Sequence, residues 1–249
     1  MNNTATIEKM QSMKLYGMAR AFRETHEVGM KNDITPDEML AFLVDAEWDE
    51  RYNRKLTRRL AAARFRYRAS IEEVSVSSSR NIDKNKLLRF SGSEWIRKAE
   101  NIIITGATGV GKSFIASAIG HHACFSEYNV LYFNCIKLFS NLKLRKADGT
   151  YAKEIKKIKS QDLIILDDFG LSPFDKDSRL MLLEIIEDRV GISSTIVSTQ
   201  LPVKQWFDVI GDQTIADAFI DRLIHSSHKI NLKGESMRKN NSGNFLPLD

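Results

Sequence analysis

Gly106-Ala107-Thr108-Gly109-Val110-Gly111-Lys112-Ser113 is the stretch on which the reading of this chain turns. It follows an apolar run, Ile102-Ile103-Ile104, and opens a helix-like run from Phe114 to Ala123. Strand, glycine loop and helix in that order is the context of a phosphate-binding loop, and an ordinary Gly-rich turn does not need both flanks. The glycines let backbone N–H groups converge on an anion at a helix N-terminus. Lys112 brings a charge for the β- and γ-phosphates and Ser113 a hydroxyl for Mg²⁺. Ala107, Thr108, Val110 and Phe114 complete the expected nucleotide-binding stretch.

Further along, Leu163-Ile164-Ile165-Leu166-Asp167-Asp168 places two acids at the end of a buried strand. Ligands of parallel α/β sheets bind at the carboxyl ends of the strands. Asp167 is therefore expected to hold the Mg²⁺ shell through Ser113 and water. Asp168 is expected to orient or deprotonate an attacking water. Ser194-Thr195-Ile196-Val197-Ser198-Thr199-Gln200 is a further strand with a polar end, and either Thr199 or Gln200 can touch the water or the γ-phosphate. Apolar, β-rich runs at 101–105, 130–134, 162–167, 195–199 and 228–232, with helical stretches between the first four, predict a parallel α/β sheet of the P-loop type.

Before this region the chain reads as helical. Ile7, Met10, Met18 and Phe22 are spaced for one apolar face, with Gly29 as a stop. Thr35-Pro36-Asp37-Glu38 is a helix start with capping-box spacing. The helix it opens is expected to carry Leu40, Leu43, Ala46 and Trp48 toward a core. It then turns basic: Arg51, Arg54, Lys55, Arg58, Arg59, Arg64, Arg66 and Arg68 follow one another with no acid among them, interleaved with Tyr52, Phe65 and Tyr67. A charge run is also what a solvated helix face looks like; an uncompensated one favours a polyanion such as the DNA backbone. A second basic run, with Lys143, Arg145, Lys146, Lys153, Lys156, Lys157 and Lys159 against Asp148 and Glu154, carries the same two readings. Ser75 to Asn81 reads as a linker, and Lys84 to Arg97 as an amphipathic piece packing on the nucleotide domain. Its Phe90 and Trp95 suit a core better than an adenine contact.

The 249 residues suffice for one large domain, or a medium and a small one, and 43% of them are hydrophobic. Cys124 and Cys135 lack metal-ligand spacing and read as buried thiols of a reducing compartment. The polar start and the lack of any apolar run near the ~20 residues of a membrane span lead to the expectation of a cytoplasmic protein without a membrane partner. Asp221-Arg222-Leu223 ends an amphipathic helix, where Arg222 serves either a neighbour's nucleotide or an ion pair with Asp217 or Asp221. Arg238, in Ser236-Met237-Arg238, is placed to reach phosphates of its own subunit or lies on the surface.

Taken in order, LKLYGMARAF, FLVDAEWDERYNRKLTRRLAAARF, GATGVGKSF, DLIILDDFG, STIVSTQLPVKQWF and IADAFIDRLIHSSHKINLKGESMRK resemble the IstB family, ATP-binding helpers of insertion-sequence transposition. More distantly the chain is similar to DnaC-type helicase loaders among the AAA+ ATPases. By this resemblance Lys112 and Ser113 match Walker A, and Asp167 and Asp168 match Walker B, with Asp168 where many AAA+ proteins carry Glu. Thr199 and Gln200 match the sensor-1 region, Arg222 the arginine finger and Arg238 the sensor-2 arginine. The implied organisation is a helical N-terminal domain over 1–70, a linker and packing helix over 71–98, an AAA+ domain over 99–238 and a loose tail over 239–249. The implied activity is ATP hydrolysis with Mg²⁺. ATP-bound subunits would form a homo-oligomer on duplex DNA and engage a cognate transposase. Of the second basic run, Lys143, Arg145, Lys146, Lys156 and Lys157 join the eight cations of the first as expected DNA contacts. The alternatives are a replicative helicase loader, which would prefer single strands, and a metabolic P-loop kinase, against which the basic helix and the DRL and SMR motifs argue.

Overall fold

The computed structural model describes residues 3–27, 34–74 and 80–237. Gly29, most of the Ser-rich linker, Arg238 and the tail lie outside them. The chain divides into two compact units, Met1–Arg58 and Arg59–Asp249.

The first unit is helical: α1 (Asn3–Ser12), α2 (Tyr16–Glu27) and the larger part of α3 (Pro36–Ala63). The capping box forms as the sequence suggests. Thr35 N–H donates to Glu38 Oε2 at 2.8 Å, and Glu38 N–H returns a bond to Thr35 Oγ1 at 3.3 Å. The helix pair α2–α3 is built on a close approach. A Cβ on Gly17 would lie 2.2 Å from the Ala46 carbonyl oxygen, so no side chain fits there. Over the same contact, Glu47 accepts the N–H groups of Gly17 (2.8 Å) and Met18 (3.3 Å) in the first turn of α2. A carboxylate there satisfies orphan donors and meets the positive end of the helix dipole. Arg51 Nε holds the other oxygen at 2.6 Å. Burial pushes the Glu47 carboxyl up, but Arg51 and the N–H groups of Met18 and Gly17 outweigh it and hold the group below its ordinary value.

One expectation fails here. Leu43 is buried, but Leu40 and Trp48 are exposed, by 59% and 73%. Leu40, Val44 and Trp48 recur every fourth residue and share a stripe, whereas Leu43 and Glu47 lie on the neighbouring one that meets α2.

The second unit holds five parallel strands, β1 (Asn101–Gly106), β2 (Val130–Asn134), β3 (Leu163–Phe169), β4 (Ser194–Thr199) and β5 (Ser227–Leu232), in the order β2-β3-β4-β1-β5. The strands fall where the apolar runs put them. Helices α4 (Lys84–Ser91) and α5 (Glu94–Arg97) precede the sheet, α6 (Lys112–Phe125) follows β1, and α7 (Cys135–Ala147) and α8 (Tyr151–Lys159) join β2 to β3. Helix α9 (Lys176–Glu187) joins β3 to β4, and α10 (Trp206–Ile210) and α11 (Gln213–Ile224) precede β5. Because helices cover both faces, β3 and β4 are buried almost throughout, and Leu163 to Leu166 of β3 reads as a continuous apolar run.

Phe90 and Trp95 are core residues. Their rings meet edge-on at 5.9 Å, and Trp95 Nε1 donates to the Phe90 carbonyl. Both cysteines are buried thiols, Cys124 pushed up to about 12 by burial. Arg189 is a buried clamp. Its guanidinium donates to the carbonyls of Ile158 (3.1 Å), Gln161 (2.8 Å) and Ser194 (2.6 Å), tying the end of α8 to the start of β4.

Candidate nucleotide-binding site

The loop between β1 and α6 lies at the carboxyl edge of the sheet. Gly109 has φ +84°, and a Cβ there would meet Ser236 Oγ at 2.1 Å. The chain after β5 closes over this position, with Met237 N–H donating to the Gly109 carbonyl at 2.9 Å. Lys112 and Ser113 open α6. Lys112 Nζ donates to the Ala107 carbonyl at 2.8 Å, back across the loop. Ser113 Oγ donates to Asp167 Oδ1 at 3.0 Å. The two motifs that sequence placed together are thus in direct contact.

The acid pair is held from three sides. Asp167 is fully buried, and its Oδ2 accepts from the Tyr132 hydroxyl and from Arg66 Nη1 at 3.4 Å. Asp168 Oδ2 accepts from Asn134 Nδ2 at 2.9 Å and from Arg66 Nη1 at 3.1 Å. Asp168 has φ +56°, and the β3–β4 register shifts between Leu166 and Phe169. A bulge of this kind re-aims a side chain, and here neighbouring acids on one strand both reach Arg66. Burial, with Asp167 beside it, drives the Tyr132 phenol far up, so it stays a hydrogen-bond donor. Burial lowers the Arg66 guanidinium but is outweighed by Tyr67, Tyr132, Asp167 and Asp168, which hold it above its ordinary value.

A cavity of about 800 Å³ adjoins these groups. Its lining includes the polar or phosphate-binding positions Gly109, Gly111, Lys112, Ser113 and Asp168 and the apolar or aromatic side chains Tyr67, Val74, Phe114 and Met237. The size lies within the ~300–1,000 Å³ usual for small-molecule sites. The first group suits a triphosphate and the second a flat base. Hydroxyl and carboxylate oxygens at Ser113 and Asp167 are the hard donors that Mg²⁺ prefers.

The two sensor candidates separate. Thr199 is fully buried and staples strands: its hydroxyl donates to the Phe169 carbonyl at 2.8 Å and accepts from Leu201 N–H at 3.1 Å. Gln200 lines the cavity and accepts from Thr108 Oγ1 at 2.8 Å. Arg222 does not line this cavity. Its ion-pair partner is neither Asp217 nor Asp221 but Glu187 at 2.9 Å, with a second bond to the Ala218 carbonyl. Arg238 lies outside the described residues.

The expected DNA contacts also divide. Arg51 pairs with Glu47, Arg59 with Glu127 at 3.3 Å, and Arg66 with the acid pair; Arg54 lies 5.1 Å over the Tyr16 ring. Lys55, Arg58, Arg64 and Arg68 make no ion pair among the described residues. In the second run Lys143 pairs with Asp175, Arg145 with Asp148, Lys146 with Asp177 and Lys157 with Glu154. Sequence reading missed Tyr132, Asn134 and the role of Arg66. The polar end of the run VLYFN was a usable signal, since β2 neighbours β3 and Asn134 registers with Asp167. Arg66 was hidden among its basic neighbours.

Fold and site together define a P-loop nucleotide-binding protein. Residues 8–244 match the family described as IstB-like ATP binding protein, and the chain belongs to that family. It is 44% identical to the insertion sequence ATP-binding protein y4pL of Sinorhizobium fredii, over 94% of this chain and 96% of that one. It is 34% identical to the IS1162 ATP-binding protein of Pseudomonas fluorescens, over 79% and 86%. Among solved structures, DnaI superposes with a TM-score of 0.57 at 20% identity, over 67% of this chain and 92% of that one. The DnaC helicase loader gives 0.54 at 19%, over 66% and 97%. AMPPCP-bound DnaA from Aquifex aeolicus gives 0.56 at 17%, over 69% and 52%. These likenesses carry the fold. No helix among the described residues is long and apolar enough to cross a membrane.

Proposed function

We propose that this chain is an ATP-hydrolysing helper of insertion-sequence transposition, which assembles as a homo-oligomer on duplex DNA and engages a transposase. The observation that carries the reading is the Ser113–Asp167 bridge beside Lys112, in a chain whose relatives are named insertion sequence ATP-binding proteins. Bound ATP supplies the scissile phosphoanhydride and Mg²⁺ the neutralising charge. Gly109 to Ser113 bind the phosphates, and Lys112 offsets their charge at the N-terminus of α6. Ser113 and Asp167 would hold the metal shell. Asp168 orients the attacking water and accepts its proton on a carboxylate oxygen, and Gln200 fixes the water or the γ-phosphate. Arg222 leaves Glu187 for the phosphates of a neighbouring subunit, so that nucleotide binding and assembly are linked.

Within the basic run from Arg51 to Arg68, Lys55, Arg58, Arg64 and Arg68 supply contacts to phosphates that position DNA without reading its sequence. Two variants test the site. Lys112→Ala is expected to abolish nucleotide binding, measured with a fluorescent ATP analogue. Arg222→Ala is expected to keep that binding but lose hydrolysis, by about 10³-fold or more, together with assembly. Hydrolysis by Arg222→Ala at the wild-type rate overturns the finger role. The wider reading is tested by the mass distribution of complexes with ATP and Mg²⁺ on duplex and single-stranded DNA of equal length. Large ATP-dependent assemblies on duplex support it; preference for single strands supports a helicase loader instead.

A further inference from the structure

Arg66 stands on the carboxylate that would hold the metal shell, Asp167, and on Asp168, which would face the attacking water. Its Nη1 lies 3.4 Å from Asp167 Oδ2 and 3.1 Å from Asp168 Oδ2. Asp167 is fully buried, and a buried carboxylate is costly without a counter-charge. Its Oδ1 is taken by Ser113 and its Oδ2 also by Tyr132. Arg66 is in ion-pair contact with both acids. It belongs to the stretch from Arg64 to Val74, which contains no helix or strand, so it can swing without breaking an element. Its side chain is 35% exposed, which leaves it a route outward.

We infer that Arg66 is a displaceable counter-cation of the Asp167–Asp168 pair, and that it and Mg²⁺ exclude one another there. Mg²⁺ needs a near-octahedral shell of oxygens at about 2.0–2.1 Å and keeps several waters. A guanidinium straddling both carboxylates fills that space and spends their charge. To admit Mg²⁺, Arg66 would give up its two hydrogen bonds to the acids and turn away from them. The acid pair is never left bare, and each cation raises the threshold for the other. Arg66 is thus a positioning residue, which sets how much Mg²⁺ the site requires. The inference rests on the nucleotide-binding reading above.

The test is the Mg²⁺ concentration that gives half-maximal enhancement of binding of a fluorescent ATP analogue. In Arg66→Gln this midpoint is expected to fall at least about fivefold, the lower end of ordinary coupling between sites. Arg66→Lys, which keeps the charge on a compact and more strongly hydrated ammonium, is expected to give a midpoint between the two. A merely structural role would weaken binding alike in EDTA and in Mg²⁺ without lowering the midpoint. An Arg66→Gln midpoint equal to or above wild type overturns the inference while leaving nucleotide binding intact. If Arg66→Gln does not fold, an Arg66→Lys midpoint equal to wild type overturns it. Absence of nucleotide binding in the wild type overturns the nucleotide reading and this inference with it.

Discussion

Between Lys143 and Lys159 most cations face a carboxylate; between Lys55 and Arg68 few do. In the later run Lys143 meets Asp175, Lys146 meets Asp177, and Lys159 meets both Glu184 and Asp188. These acids come from α9 and the residues flanking it, distant in sequence and adjacent through the fold. In the N-terminal run, Arg51, Arg59 and Arg66 find acids, but Lys55, Arg58, Arg64 and Arg68 make no ion pair among the described residues. The two runs have similar composition and different local fields. A charge already matched by a neighbouring carboxylate adds little attraction for a phosphate backbone, whereas an unmatched one adds its full share. The comparison moves our expectation for DNA binding toward the N-terminal run.

The largest effect should come from neutralising Lys55, Arg58, Arg64 and Arg68 together. Duplex affinity is expected to collapse, and the log–log salt slope to shrink by about 0.9 for each phosphate that is no longer neutralised. The matching change in Lys143, Lys146 and Lys157 should leave the slope nearly unchanged; equal losses from both sets would break the distinction.

Next in size is the anchor of α3, which carries the start of the N-terminal run. Gly17→Ala drives a Cβ into the Ala46 carbonyl, and Glu47→Ala strips two N–H groups and Arg51 of their acceptor. Each is expected to cost about 1–3 kcal/mol in urea unfolding of the N-terminal unit. Nucleotide binding should persist. Glu47 is held below its ordinary 4.5, so the stability it supplies is complete above that value and is lost as pH falls through the lowered one. A flat acid profile would remove the carboxylate from this role.

The smallest effect belongs to the pairs of the later run. Lys143→Ala should change stability by less than about 1 kcal/mol, as exposed ion pairs do. Asp175 is held at about 2, by Lys143 first and then by the N–H of Ser178. Its modest contribution is present above the ordinary 3.8 and fades as pH falls through about 2. In Lys143→Ala that fade should move to higher pH, as followed by thermal melting across acid pH.

Local pattern made a good part of the molecule legible. The β1–loop–α6 order, the buried LIIL run ahead of two acids and the capping box at Thr35 each depend on neighbours in sequence, and each forms as read. Side-chain direction was less legible. Leu40 and Trp48 were expected inward, but a helix rotates about 100° per residue and only the partner decides which stripe is covered. Thr199 and Gln200 were equivalent as a polar strand end; the burial of β4 gave one to the backbone and the other to the cavity.

By itself, then, the sequence determined a parallel α/β nucleotide fold behind a helical N-terminal region, with Lys112, Ser113, Asp167 and Asp168 at its centre. Those follow from periodicity and from a loop whose chemistry is contiguous. Only the tertiary structure decided that Arg66 belongs to the acid pair, that Tyr132 and Asn134 hold it, that Glu187 holds Arg222, and that the two basic runs differ. Charge pairing acts over a few ångströms in space, and these partners are far apart in the chain, Arg66 and Asp168 by 102 residues.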